Sequence, residues 1–232
     1  MGTLTYNTEQ LEKPKHIFPL VRHISYRLTL VLLRCPVTPN QVTIVSLLSG
    51  LGGAGLFISG NWSLGVLGGL LLVASYVLDN CDGEIARIKQ LSSEFGARLD
   101  DIVDSTVDTC FFLALGYGTA SVSGQQIWFW LGLAAALGAA IDFWVEQINE
   151  ARLKRKEGVK SREEYLIEPK QPEDWIDWSI YIFHELSRAD FCLIVLLLAV
   201  FNITWILLPL AAVGAQVFWI TDLFDRARGY HT

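Results

Sequence analysis

Four aspartates, Asp79, Asp82, Asp100 and Asp104, stand in the run DNCDGEIARIKQLSSEFGARLDDIVD (residues 79–104) of an otherwise strongly apolar chain. On helices, Asp79 and Asp82 lie three residues apart and Asp100 and Asp104 four apart, so each pair shares a helix face. The intervening KQLSSEF turns the chain, with Ser92 or Ser93 available as helix cap and Glu94 in a first turn that favours an acid. An antiparallel helix pair then aims four carboxylates at one another, which demands compensating cations. Hard oxygen donors suit Mg²⁺ or Mn²⁺, and four carboxylates suit two ions better than one. Two such ions can hold a diphosphate and stabilise charge as a P–O bond breaks. Gly83 lets backbone approach a ligand, Gly96 lets helices pack closely, and Arg87 can neutralise phosphate oxygens. Glu84, Glu94 and Asp101 point off the shared faces and are expected to form a solvated helix end with Arg87, Lys89 and Arg98.

The elements that must position these groups are membrane helices. The 232 residues are 52% hydrophobic and only 18% charged, a balance typical of membrane proteins. HIFPLVRHISYRLTLVLLR (16–34), with Arg22, Arg27 and Arg34 at helical spacing, predicts an amphipathic interfacial helix. Six spans follow: Thr38–Ser59, with Thr38 as cap and Pro39 in the first turn; one from Trp62 through Leu78 into the acidic run; then 94–122, 126–150, 176–200 and 203–224. A charged loop of about 151–175 separates the fourth from the fifth. The expected organisation is thus a cytoplasmic N-terminus and interfacial helix over 1–35 and one six-helix domain over 36–232. The polar first fifteen residues do not resemble a cleavable signal peptide.

All 18 Lys and Arg avoid the turns near residues 60, 123 and 202. That bias predicts an all-α, multi-pass integral membrane protein with both termini and the acidic run on the cytoplasmic side. Cys35, Cys81, Cys110 and Cys192 have neither disulfide nor zinc spacing, and the net charge of −6 argues against a nucleic-acid partner.

Asp82-Gly83-x-x-Ala86-Arg87, then Gly96, Asp100 and Asp104 at fixed intervals, with Asp79 ahead, resembles the signature of the CDP-alcohol phosphotransferases. The six-span plan, the surface helix and the TPNQVT opening of the first span are similar to that family too. The resemblance implies Mg²⁺-dependent transfer of a phosphoalcohol, commonly phosphatidyl, from a CDP-linked donor such as CDP-diacylglycerol to an alcohol, releasing CMP. Asp79, Asp82, Asp100 and Asp104 would hold two Mg²⁺ ions, and Asp104 would deprotonate the attacking hydroxyl. Gly83, Ala86, Arg87 and Ser93, with Thr38, Pro39 and Asn40 closing over the nucleotide, would form the CDP site. The resemblance also implies a homodimer.

Arg188 and Asp190, expected within the fifth span, and Arg152, Lys154 and Arg155, closing the fourth, offer a pocket for an acceptor phosphate. The run Ser187-Arg188-x-Asp190 resembles the branch of the family that uses inositol phosphate, which assigns Arg152, Arg155 and Arg188 to the acceptor. An internal pair of Arg188 with Asp190 or Glu185 explains the same residues equally well. Asp108 and Asp142 would bind acceptor hydroxyls or pair with each other. Two rival readings are a prenyltransferase, whose Asp-Asp-x-x-Asp pattern fits residues 100–104, and a divalent-cation transporter. The first leaves Gly83, Ala86, Arg87 and Gly96 unexplained; the second predicts acids spread through the bilayer depth, not gathered at one side.

Overall fold

A computed structural model describes residues 19–157 and 190–216, together with Lys13, and only the backbone of 149, 150 and 152–157. Among the described residues it is all-helical, without strands: α1 (Leu20–Leu32), α2 (Pro39–Phe57), α3 (Trp62–Ile88), α4 (Glu94–Ser123), α5 (Ile127–Glu157), α6 (Phe191–Val200) and α7 (Thr204–Gln216). Among the described residues, three helices are long and apolar enough to cross a bilayer: α2, α3 and the Ile127–Ile148 part of α5. The expected third span is one helix over nearly its expected extent, but acids crowd its first half and it does not meet that hydropathy measure. The expected fifth and sixth spans are described only from residue 190 and to residue 216. α5 runs two turns into what the sequence suggested was loop.

Local chemistry sets the helix ends. Thr38 forms a capping box with Gln41 and is followed by Pro39, whose missing N–H costs nothing in a first turn. The Asn61 side chain accepts the Ser63 and Leu64 N–H groups at the start of α3. Ser93 accepts from Gly96 N at 3.0 Å and starts α4. Gly124, at φ +71°, ends α4 in the left-handed conformation that glycine adopts without penalty.

Small residues bring α2, α3 and α4 together. A Cβ on Gly53 would lie 2.8 Å from the Gly68 carbonyl, and one on Gly68 would lie 2.7 Å from that of Gly53. Beside this contact, Ser46 Oγ donates to Ser75 O (3.0 Å), Ser75 Oγ to Ser46 O (2.8 Å) and Ser49 Oγ to Leu71 O (2.8 Å). In an apolar setting such hydroxyl–carbonyl bonds replace the hydrophobic drive that lipid cannot supply. Phe57, Phe111, Phe112 and Phe191 meet edge-on or tilted, with ring centroids 5.2–6.0 Å apart.

The amphipathic helix is present over 20–32; residues 16–18 of the expected 16–34 stretch lie outside the described residues. Its buried stripe, Val21, Ser25 and Thr29, packs along α3, while Arg22 and Arg27 stay exposed. Cys81 Sγ on α3 donates to Ser25 O at 3.5 Å.

Candidate active site

The carboxylates meet at the end of the bundle where α3 turns into α4. Oxygen atoms of Asp79, Asp82 and Asp100 all lie within 4.8 Å of one another. Asp82 is buried, and its Oδ2 accepts a hydrogen bond from Thr43 Oγ1 on α2. Asp79 Oδ1 and Asp100 Oδ1 are buried without any hydrogen-bond partner. Buried acceptors left unmatched are costly, and two beside a third carboxylate call for an external cation. An all-oxygen donor set fits a hard divalent ion such as Mg²⁺.

Asp104 stands outside this tight group. Its side chain is exposed and borders a cavity of about 430 Å³, also lined by Tyr76, Asp101, Asp108, Asp142 and Glu146. Tyr76 Oη donates to Asp108 Oδ1 at 3.0 Å. Asp101 Oδ2 accepts from Gln147 Nε2 at 3.1 Å. The cavity thus runs from Asp104 on α4 to Asp142 and Glu146 on α5.

Around the carboxylates, the small residues of the motif leave room. A Cβ on Gly83 would meet only Arg87 Nη1, at 3.5 Å, so the guanidinium lies over the glycine. A Cβ on Gly96 would lie 3.4 Å from Asn40 Oδ1 and 3.1 Å from Ser93 Oγ. Asn40, more than fifty residues earlier in sequence, is therefore a neighbour of Ser93 and Gly96. Thr38 and Pro39 begin α2 beside them, and Ala86 sits one residue before Arg87.

The remaining residues sort differently. Of Arg152 and Arg155 only the helical backbone is described, and Arg188 lies outside the described residues. Glu94 behaves as expected, pairing with Arg98 at 2.9 Å in solvent. Glu84 does not: it is 8% exposed, with Oε2 buried and unpartnered, one turn beyond the Cys81 that bonds to α1. Thr43, Tyr76 and Glu146 were missed. Tyr76 lies three residues ahead of Asp79 and Glu146 four beyond Asp142, one helical turn each; nothing local marks Thr43.

Residues 36–166, more than half of the chain, match the CDP-alcohol phosphatidyltransferase family. The chain belongs to that family. Membership makes it a transferase and a membrane protein of phospholipid biosynthesis, and it sets aside the prenyltransferase and transporter readings. Among curated relatives, the bifunctional IPC transferase and DIPP synthase of Thermococcus kodakarensis is 38% identical over 122 residues, 53% of this chain and 26% of that protein. The protein of the same name from Rubrobacter xylanophilus is 38% identical over 143 residues, 59% of this chain and 31% of its own length. These matches thus span about a quarter to a third of those relatives. Archaetidylinositol phosphate synthase of Pyrococcus horikoshii is 31% identical over 102 residues, 44% of this chain and 53% of that one. The fold is that of Mycobacterium tuberculosis phosphatidylinositol phosphate synthase, crystallised with CDP-DAG bound, at TM-score 0.55 and 24% identity over 84% of this chain and 90% of that one.

Proposed function

We propose that this CDP-alcohol phosphatidyltransferase transfers a phosphatidyl-type group from a CDP-linked lipid such as CDP-diacylglycerol to the hydroxyl of a phosphorylated polyol, inositol phosphate or glycerol 3-phosphate, releasing CMP. The observation that carries the reading is the convergence of Asp79, Asp82 and Asp100, with two unpartnered buried oxygens, beside the exposed Asp104 at a cavity mouth. The relatives named for IPC and for archaetidylinositol phosphate favour inositol phosphate.

Asp79, Asp82, Asp100 and Asp104 would hold two Mg²⁺ ions, which when bound neutralise the donor diphosphate and make CMP a better leaving group. The Thr43 hydroxyl orients the Asp82 carboxylate. Arg87, above Gly83, offers its guanidinium to phosphate oxygens, while Ala86 and Ser93 with Thr38, Pro39 and Asn40 enclose the cytidine. Asp104, open to the cavity, takes the proton from the acceptor hydroxyl as its oxygen attacks phosphorus. Arg152, Arg155 and Arg188 meet the acceptor phosphate. Around this chemistry we infer six spans, a homodimer, and both termini and the site on the cytoplasmic side, supported by the placement of every Lys and Arg away from the turns near 60, 123 and 202.

The test is CMP release by purified protein with CDP-diacylglycerol and Mg²⁺ across inositol phosphate, glycerol 3-phosphate, serine, inositol and choline. One phosphorylated acceptor should dominate. Asp104→Asn should lower kcat about 10²–10⁴-fold while CDP binding with Mg²⁺ persists. Full activity in that variant would remove Asp104 as the base, and turnover only with an unphosphorylated alcohol would remove the phosphate-binding role of the arginines.

A further inference from the structure

Helix α1 is tied down at both ends by charged side chains from distant parts of the chain. Its first turn starts behind Pro19, which offers no side-chain cap. Asp190, only 1% exposed and 170 residues away, supplies one: Leu20 N donates to its Oδ2 at 2.8 Å and Val21 N to its Oδ1 at 3.0 Å. A buried carboxylate on the first N–H groups of a helix satisfies orphan donors and meets the positive end of the helix dipole. Beyond the other end of α1, Lys89 Nζ donates to Cys35 O at 3.2 Å and to Val37 O at 2.7 Å. Lys89 caps α3 two residues after Arg87, and Val37 directly precedes Thr38, Pro39 and Asn40.

The chain between these anchors has little freedom. Val21, Ser25 and Thr29 are fully buried along α3, so the helix cannot roll without exposing or clashing that stripe. Asn40 in turn sits against Gly96 of the motif, where a Cβ would lie 3.4 Å from its Oδ1. The position of residues 37–40 beside the Gly96 turn of the motif is therefore set by where α1 is held as well as by their own short-range contacts.

We propose that α1 is a strut and that Lys89 and Asp190 are positioning residues: together they hold the Thr38–Asn40 segment in the geometry that closes on the nucleotide. The inference rests on the transferase reading for the identity of that ligand. Neither side chain contacts the reacting atoms in this scheme. Release of either end lowers the fraction of molecules with the segment in place, and apparent nucleotide affinity falls by that fraction. Since the segment grips ground state and transition state alike, the loss belongs in KM and not in kcat. One strut also has one failure: freeing both ends costs little more than freeing one, whereas independent contacts would multiply.

The experiment uses the full-length protein in detergent with Lys89→Met, Lys89→Arg, Asp190→Asn and the Met/Asn double variant. Two readouts are taken: KM and kcat for CMP release from CDP-diacylglycerol, and calorimetric affinity for CMP with Mg²⁺. If the segment-in-place fraction drops to a tenth, Lys89→Met and Asp190→Asn each raise KM and weaken CMP binding about tenfold, with kcat within about twofold. Lys89→Arg, which keeps a charged donor for both carbonyls, should restore both. The double variant should stay near tenfold rather than reach about a hundredfold.

Unchanged KM and CMP affinity in Lys89→Met would overturn the strut, as would kcat loss at constant KM or a fully multiplicative double variant. A wild-type protein that binds CMP but transfers nothing from any CDP-linked donor would sink the transferase reading, and the calorimetry of the variants would still decide the strut. A wild type that fails even to bind CMP would end both.

Discussion

The two ends of the helix bundle carry cavities of nearly equal size and opposite character. At the motif end, the cavity of about 430 Å³ is walled by carboxylates, and the aspartate cluster beside it holds buried oxygens with nothing to bond. At the other end, a cavity of about 410 Å³ lies among Phe57, Asn61, Trp62, Trp128, Asn202 and Trp205, with no ionisable side chain in its wall. Several of its polar groups are spent on the protein itself. Asn61 caps α3, Trp62 Nε1 donates to Val200 O at 3.0 Å, and Ser123 Oγ donates to Thr119 O at 2.7 Å. Trp128 and Trp205 pack edge to face at 5.5 Å. Volume does not separate a site from a gap between helices. Unmet hydrogen-bonding capacity does, because evolution has no stability reason to bury an acceptor that nothing will satisfy.

That contrast can be broken by substitution at each end. The largest effect is expected from Asp82→Asn, which removes a negative charge from the centre of the cluster. CMP release should fall by at least about a hundredfold while the protein keeps its thermal unfolding midpoint, since the change also relieves like-charge crowding. A loss of midpoint with retained specific activity would mean that the cluster is structural.

Thr43→Val keeps the shape of the side chain and deletes the hydroxyl bonded to Asp82. Loss of such an outer partner should raise the Mg²⁺ concentration for half-maximal activity about 10–100-fold, with saturating activity little changed. An unaltered Mg²⁺ titration would show that Thr43 serves packing only.

Gly53→Leu acts on neither cavity but on the contact between α2 and α3 that carries both. The side chain would drive into the Gly68 carbonyl, so stability should fall by about 1–3 kcal/mol, read as lost midpoint in detergent. The smallest effect belongs to the far cavity. Asn61→Ala should cost about 1 kcal/mol through the lost cap, and specific activity per folded molecule should not change. Reduced specific activity there would make the second cavity functional and sink the comparison.

Much of this was legible from residue order, and the reasons are local. Caps at Thr38, Asn61 and Ser93 start their helices within one residue of the expected places, since a cap needs only a side chain and the next turn of backbone. The faces shared by Asp79 with Asp82 and by Asp100 with Asp104 follow from helical period alone. What misled was also local thinking. Glu84 points off the aspartate face and was expected in solvent, yet the packed helices bury it.

Family, helical class, membrane character and the acidic cluster can all be read from residue order, because each rests on composition or on spacings within one contiguous stretch. What those groups touch follows from how distant segments pack. The Thr43 bond to Asp82 spans 39 residues, the Lys89 grip on Val37 spans 52, and the Asp190 cap on α1 spans 169 and 170. No periodicity reports such pairs. They exist because packing of small residues brings three helices close enough for polar side chains to find the donors and acceptors that lipid cannot provide.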